Sequence, residues 1–387
     1  MFSDDLSALV FNGNHLNSFI GYAGDEAPSF SSSSFFARRA SDSSAVFFEG
    51  AASLARGEST EWNPLLSRGS VADMEVYGQY LSQMAGRIGC NLADYPLCLT
   101  TQDSVTGYGS DRLGLAGLMF EGSGSPALFF VSRALATICG TGRVSGVLVD
   151  SGETATEVHA IFDGYILTRH SKKLDFSGAK VSGLLEAELC EKLEGRDPGL
   201  PGLRPGSDRR LETLDRFHPN FEQFLTAQAI RGLKENSLVD LQAEEKPALS
   251  LPDGSAVEFD CLVDASRPLF ERKIGDSTLA DLPNALVALL NEVAIDSRKT
   301  LISNFVLTGG NSLLPRFQKN LENSLAENPS MHAKPKLNFP SKLIEKKMPG
   351  WLGASIMSSV EAFQNMWVSR FEYLENGENI ILRKCIN

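Results

Sequence analysis

Residues 8–24, ALVFNGNHLNSFIGYAG, and residues 147–164, VLVDSGETATEVHAIFDG, carry one pattern twice: an apolar run, an Asn or Asp, a Gly one or two residues on, a polar turn, a second apolar run and a closing Gly. Short apolar runs bounded by turn residues read as strands, and two of them joined by a short polar turn read as a β-hairpin. The amides of such a turn converge and can hold an anion. Two hairpins facing each other between similar domains would cradle a polyphosphate. Two unrelated hairpins would leave the same trace, and the spacing alone does not separate these readings.

Outward from the repeat, strand and helix patterns alternate. Ala8–Phe11, Gly146–Val149, Val158–Phe162 and Asn304–Leu307 read as strands. Helices are predicted over Val181–Leu193, with Leu184, Leu185 and Leu189, and over Leu282–Val293, where Leu282, Leu286, Leu289, Leu290 and Val293 share a stripe. A third is predicted after Gly353, where Ile356, Val360, Phe363 and Trp367 recur at helical spacing. The alternation predicts an α/β protein. Two stretches read as mobile surface insertions. Ser29 to Glu61 is Ser-rich at its start and shows no sustained periodicity. Glu194 to Arg210, EGRDPGLPGLRPGSDRR, holds three prolines and four glycines in 17 residues, which denies helix and ladder hydrogen bonds alike.

Composition sets the outer limits. In 387 residues, 36 Lys+Arg stand against 48 Asp+Glu, a net charge of −12 with no dense basic run, which argues against general nucleic-acid binding. A chain 42% hydrophobic and 22% charged is not disordered throughout, and its length suits two or three domain cores. Cys90, Cys98, Cys139, Cys190, Cys261 and Cys385 lie far apart, with no C-x-x-C and no matching histidine cluster. Neither a disulfide framework nor a structural zinc site is expected, which suits a reduced compartment, cytosol or nucleus. No apolar run approaches the ~20 residues of a membrane span, and the first residues lack a secretory signal pattern.

Whole segments then carry a resemblance. IGYAGDEAP at 20–28, GRVSG at 142–146 running into VLVDSG, LPDG at 251–254, NFVLTGGNSLLP at 304–315 and GWLGASIMSSVEAFQNMWVSRFEYLENGENIILRKC at 350–385 follow one another in the order of actin and the actin-related proteins, which the chain resembles over nearly its whole length. The resemblance implies the α/β fold shared by actin, Hsp70 and sugar kinases: two similar lobes around a nucleotide cleft. Residues 1–140 with 349–387 would form the outer lobe, its small subdomain at about 31–67. Residues 141–348 would form the inner lobe, its small subdomain at about 177–273 carrying the insertion at 194–210.

The resemblance also implies a nucleotide site of two unequal halves. Toward the base, Gly309, Gly310, Asn311 and Leu313 follow a strand, Lys234 and Glu235 match the base- and ribose-contacting pair, Lys347 matches the adenine-side lysine, and Arg231 and Gly178 match cleft positions. The glycines allow close backbone approach to a ligand. The phosphate end is altered. Where family members with ATPase activity carry Asp-Asn-Gly-Ser-Gly and then a phosphate-binding Lys, this chain has Asn12, Gly13, Asn14, His15, Leu16 and Phe19. Asp150 and Gly152 remain, Asp150 as a carboxylate for Mg²⁺-bound water, but Glu153 and Thr154 replace the family's Asp-Gly. The water-orienting Gln aligns with Arg133 and an assisting His with Glu157. Arginine cannot accept water's proton, and a carboxylate is repelled by a γ-phosphate. The expectation is negligible ATPase activity, with ATP and Mg²⁺ at most slow or structural ligands.

Loss of catalysis points to a building block. DDLSALVF at 4–11, TGRVSGVLVDSGETATEVHAIFDGYIL at 141–167 and ENIILRKC at 378–385 look most like the nuclear class numbered four among the actin-related proteins. That class pairs with monomeric actin on a long helix of the ATPase in chromatin-remodelling and histone-acetyltransferase complexes. The resemblance therefore implies a nuclear protein, with cytoplasm as a second compartment. Its partners would be monomeric actin, a remodeller helix and histones, without membrane or direct sequence-specific nucleic-acid binding. A docked helix needs an apolar groove, and the matching positions are Cys139, Gly142, Val144, Tyr165, Met357, Val360 and Met366. Met357 and Met366 read as adaptable surface and Ile356, Phe363 and Trp367 as core. The alternatives are a cytoplasmic filament or capping component, disfavoured by the altered 31–61 region, and an active ATPase, disfavoured by Asn12, Phe19 and Arg133.

Overall fold

The computed structural model describes residues 7–39, 41–49, 51, 60–67, 69–102, 110–193, 230–231, 248–250, 256–258, 266, 269–270, 282–314, 316–331, 333–338 and 348–385. Both repeats are hairpins. Leu9–Gly13 pairs antiparallel with Asn17–Tyr22, placing Asn12 opposite Phe19, and Gly146–Ser151 pairs with Thr156–Phe162, placing Asp150 opposite Glu157.

Each hairpin belongs to its own large sheet. The first runs in the order Val368–Ser369, Ala127–Ser132, Leu97–Thr101, Leu9–Gly13, Asn17–Tyr22, Phe30–Ser33. The second runs Tyr165–Ile166, Thr156–Phe162, Gly146–Ser151, Phe305–Thr308, Leu337–Asn338, with Lys172–Leu174 also paired to Thr156–Phe162. In both, the first hairpin strand has a parallel neighbour on its other side, Leu97–Thr101 or Phe305–Thr308. Parallel neighbours need crossovers that cover the faces, so these strands open with continuous apolar runs. Leu9, Val10, Phe11 and all of Ala127–Ser132 are buried. Two α/β lobes of like design result.

One core fills each lobe and a third joins them. Val147, Val158, Leu286 and Phe317 lie in the second-sheet core, and Leu9, Phe11, Tyr80 and Phe120 in the first. The joining core takes Val10 and Phe129 from the first sheet, Leu148, Ile161 and Val306 from the second, and Trp351. There helices Arg133–Gly140 and Pro349–Ser359 cross almost backbone to backbone. A Cβ on Gly353 would collide with the Ala136 carbonyl, and one on Gly140 would stand 2.5 Å from the Pro349 carbonyl oxygen. The Leu282–Glu292 helix forms with Leu282, Leu286, Leu289 and Leu290 buried, and Val293 beyond it. Gly178–Leu193 starts three residues before the predicted Val181, buries Leu185 and exposes Leu184.

Three expectations are corrected. Ser29 to Glu61 is not a structureless insertion: Phe30–Ser33 is the first sheet's edge strand, and Phe35–Arg39, Ala45–Val46 and Thr60–Pro64 form a separate three-stranded sheet. Phe36 and Phe47 are buried beside Tyr80, and the Ser18 and Ser34 hydroxyls bond at 2.8 Å, so serines serve as buried polar partners where alternation was absent. Residues 52–59 and the insertion at 194–210 lie outside the described residues. The helix after Gly353 ends at Ser359; Val360 is extended, and a 3₁₀ segment, Glu361–Met366, follows. Ile356 is therefore 42% exposed rather than core, whereas Met357, read as adaptable surface, is buried at 3%. The Trp351 indole N–H donates to the Val10 carbonyl and fixes the helix phase, which turns Ala354 and Met357 inward.

Candidate functional site

Arg133 links the two hairpins, reaching Asn14 Oδ1 in the first turn and Asp150 Oδ2 beside the second. In the first turn the Asn14 amide donates to the Asn17 carbonyl. His15 turns away from the cleft, its Nδ1 3.1 Å from the Leu66 carbonyl oxygen and its ring edge-on to Phe35. Leu16 is half-buried, its carbonyl taking the Ser34 amide. A Cβ on Gly13 would press on Phe11 and Tyr77 at 3.1 Å. Phe19, where the family's lysine would stand, packs in the joining core and brings no charge. Asn12 is buried, and its Oδ1 has no hydrogen-bond partner among the described residues.

The second turn is braced from behind. The Gly152 amide donates to the Ala155 carbonyl, Ser151 and Thr156 hydroxyls bond at 2.7 Å, and Asn311 Nδ2 donates to Ser151 Oγ and the Gly152 carbonyl at 3.2 and 2.8 Å. Gly309 has a φ of +85°, and a Cβ there would strike the Ser151 carbonyl. This glycine thus serves hairpin packing, while Gly310 has open space and keeps its backbone accessible. Leu313 ends the short 3₁₀ turn, half-buried. The Glu153 carboxylate fills the space a side chain at Gly178 would need, and Thr154 is exposed. Arg231 is half-buried; Lys234, Glu235 and Lys347 lie outside the described residues.

Arg133, at the start of its helix, holds the centre. Its guanidinium lies 3.5 Å from Asp150 Oδ2 and 3.9 Å from Glu157 Oε2, and donates to Asn14 Oδ1 at 3.4 Å and Gln102 Oε1 at 3.5 Å. Gln102 Nε2 donates to Glu157 Oε1 at 3.0 Å, while His159 Nε2 and Lys173 Nζ stand 3.6 and 3.7 Å from that carboxylate. Burial pushes the Asp150 carboxyl up, and Arg133 opposes it. Burial also pushes Glu157 upward, but the His159 hydrogen bond, the Arg133 and His159 charges and the Gln102 hydrogen bond prevail and leave it at about 2.

These groups do not fit a metal-bound triphosphate. Mg²⁺ demands an open octahedron of oxygens, and the one family carboxylate retained for its water shell, Asp150, is already paired with Arg133. The surrounding cavity, about 220 Å³ including its mouth, is lined by Gln102, Arg133, Ala134, Leu148, Asp150, Glu157 and His159. Glu157 is tied to four neighbours.

Sequence reasoning named Arg133, Asp150 and Glu157 but missed Gln102, His159 and Lys173. His159 sits two residues from Glu157 on one strand, hence on the same face, and Lys173 pairs with Glu157 in register. Of the groove positions, Val144 and Tyr165 are 61% and 65% exposed and are linked through the Gly164 amide to the Val144 carbonyl. Val360 is exposed, Cys139 and Met366 rest partly on the joining core, and Gly142 has a φ of +74°. Met357 does not reach this surface. No helix among the described residues is long and apolar enough to cross a membrane.

The family model described as Actin matches residues 3–386. Among curated relatives, Actin-related protein 4 of Oryza sativa, in both the indica and japonica subspecies, is 26% identical over 345 residues, covering 82% of this chain and 77% of the relative. Actin-like protein 9 of Bos taurus is 31% identical over 300 residues, covering 76% of this chain and 66% of the relative. From its lobes and hairpins to nearly its full length, the chain belongs to the actin family.

Proposed function

We propose that this protein is a non-catalytic structural subunit of a nuclear chromatin-remodelling or histone-acetyltransferase complex, pairing with monomeric actin on a helix of the remodeller ATPase. The carrying observation is that Arg133, the residue aligned with the family's water-orienting Gln, is ion-paired to Asp150 and Glu157. Phosphoryl transfer is catalysed by positioned cations and an oriented water, and here the positioned cation is spent on the protein's own carboxylates. Likeness to Actin-related protein 4 supports the subclass. Any nucleotide at the Gly310 end serves as a structural ligand, and exposed Val144, Tyr165 and Val360 supply apolar anchors for the partner helix. Purification of the tagged protein from its own cells, followed by mass spectrometry, tests the reading. Actin with remodeller or acetyltransferase subunits is the expected result; filament proteins alone would overturn it.

A further inference from the structure

The charged cluster joins side chains from different sheets. Arg133 and Gln102 follow the first-sheet strands Ala127–Ser132 and Leu97–Thr101; Asp150, Glu157 and Lys173 stand on strands of the second. The contacts across the gap are Arg133 to Asp150 at 3.5 Å, Arg133 to Glu157 at 3.9 Å and Gln102 to Glu157 at 3.0 Å. Two carboxylates face Arg133 and Lys173, so the cluster balances its charge before His159 is counted. The side chains of Arg133, Asp150 and Glu157 are only 19%, 21% and 6% exposed, so solvent and salt screen them weakly. Arg133 thus places a cation between the first sheet and two carboxylates of the second.

We propose that Arg133 is a built-in latch that grips Asp150 and Glu157 across the cleft and holds the lobes closed without nucleotide or divalent cation. The proposal rests on the reading of the cleft as non-hydrolysing. The full-length protein is treated with EDTA and apyrase, and its thermal midpoint and small-angle X-ray scattering radius are compared with the untreated sample. Wild type is expected to change in neither. R133Q and E157Q are each expected to melt several degrees lower and scatter with a larger radius, and the double variant to lose less than the sum of the single losses, because the two share the Arg133–Glu157 pair. A wild type that expands or melts several degrees lower after treatment overturns the latch, as do additive losses in the double variant. Should R133Q not fold, wild type and E157Q decide alone: an insensitive wild type with an expanded E157Q supports the latch, and any other pair of results overturns it. Phosphate release from the same samples keeps the two claims apart. Sensitivity to treatment without turnover contradicts the latch alone; sensitivity with turnover contradicts both.

Discussion

Glu157 shows how one residue can be committed to structure. Its carboxyl sits near 2 against an ordinary 4.5 because His159, Arg133 and Gln102 outweigh the cost of its burial. A depressed folded pKa contributes stability in full above the unfolded value, and that contribution drains away as pH falls from 4.5 toward 2. At neutral pH it is worth on the order of 3 kcal/mol. Glu157→Gln removes it, so the variant melts lower than wild type at pH 7 and the two curves converge in acid; thermal unfolding at stepped pH reads this directly. The role was only half legible in the sequence. Arg133 and Glu157 stand out as wrong residue types at family positions, but their mutual pairing depends on how the two sheets pack, while strand register delivers Lys173 and Asp150 opposite Glu157. Gln102 and His159 carry no motif, and only the folded sheets bring them to the carboxylate.

At the scale of elements, the crossing of helices Arg133–Gly140 and Pro349–Ser359 is the most constrained contact. A side chain on Gly353 meets the Ala136 backbone, which cannot rotate aside. Gly353→Val should therefore cost more than about 3 kcal/mol or prevent folding, read as the loss of a cooperative melt. Gly183, exposed in the helix Gly178–Leu193 with nothing within 4 Å of where a Cβ would stand, is the contrast. Gly183→Ala should raise stability by about 0.5–1 kcal/mol through helix propensity, measured as a higher denaturation midpoint. The Leu282–Glu292 helix was legible because burial on one face writes a period into the sequence, and the hairpins because strands buried on both faces leave apolar runs between turn residues. The strands between Phe30 and Pro64 were not, because an edge strand of serines and a small sheet supported by Phe36 and Phe47 lack that period. The break at Val360 was hidden by apolar residues that continue at helical spacing through a 3₁₀ turn.

Taken whole, the molecule is an acidic two-lobed body with net charge −12 and exposed apolar side chains at Val144, Tyr165 and Val360. On the proposed chromatin role, a net charge of −12 favours recruitment through partners over contacts to DNA phosphates. Val144→Asp with Val360→Asp, both at exposed positions, should leave the thermal midpoint within a degree or so of wild type, since surface changes are usually within about 0.5 kcal/mol. The same pair should strip remodeller subunits from the tagged purification; undiminished recovery would remove these residues from the docking surface. The actin-like α/β architecture was implied by the family resemblance of the sequence, while the ion pairs of Arg133 with Asp150 and Glu157 were visible only in the fold. Phosphate release from ATP and Mg²⁺ by the purified protein tests the central claim most directly: the account predicts a rate no greater than the protein-free blank, and sustained turnover comparable to actin's would contradict it.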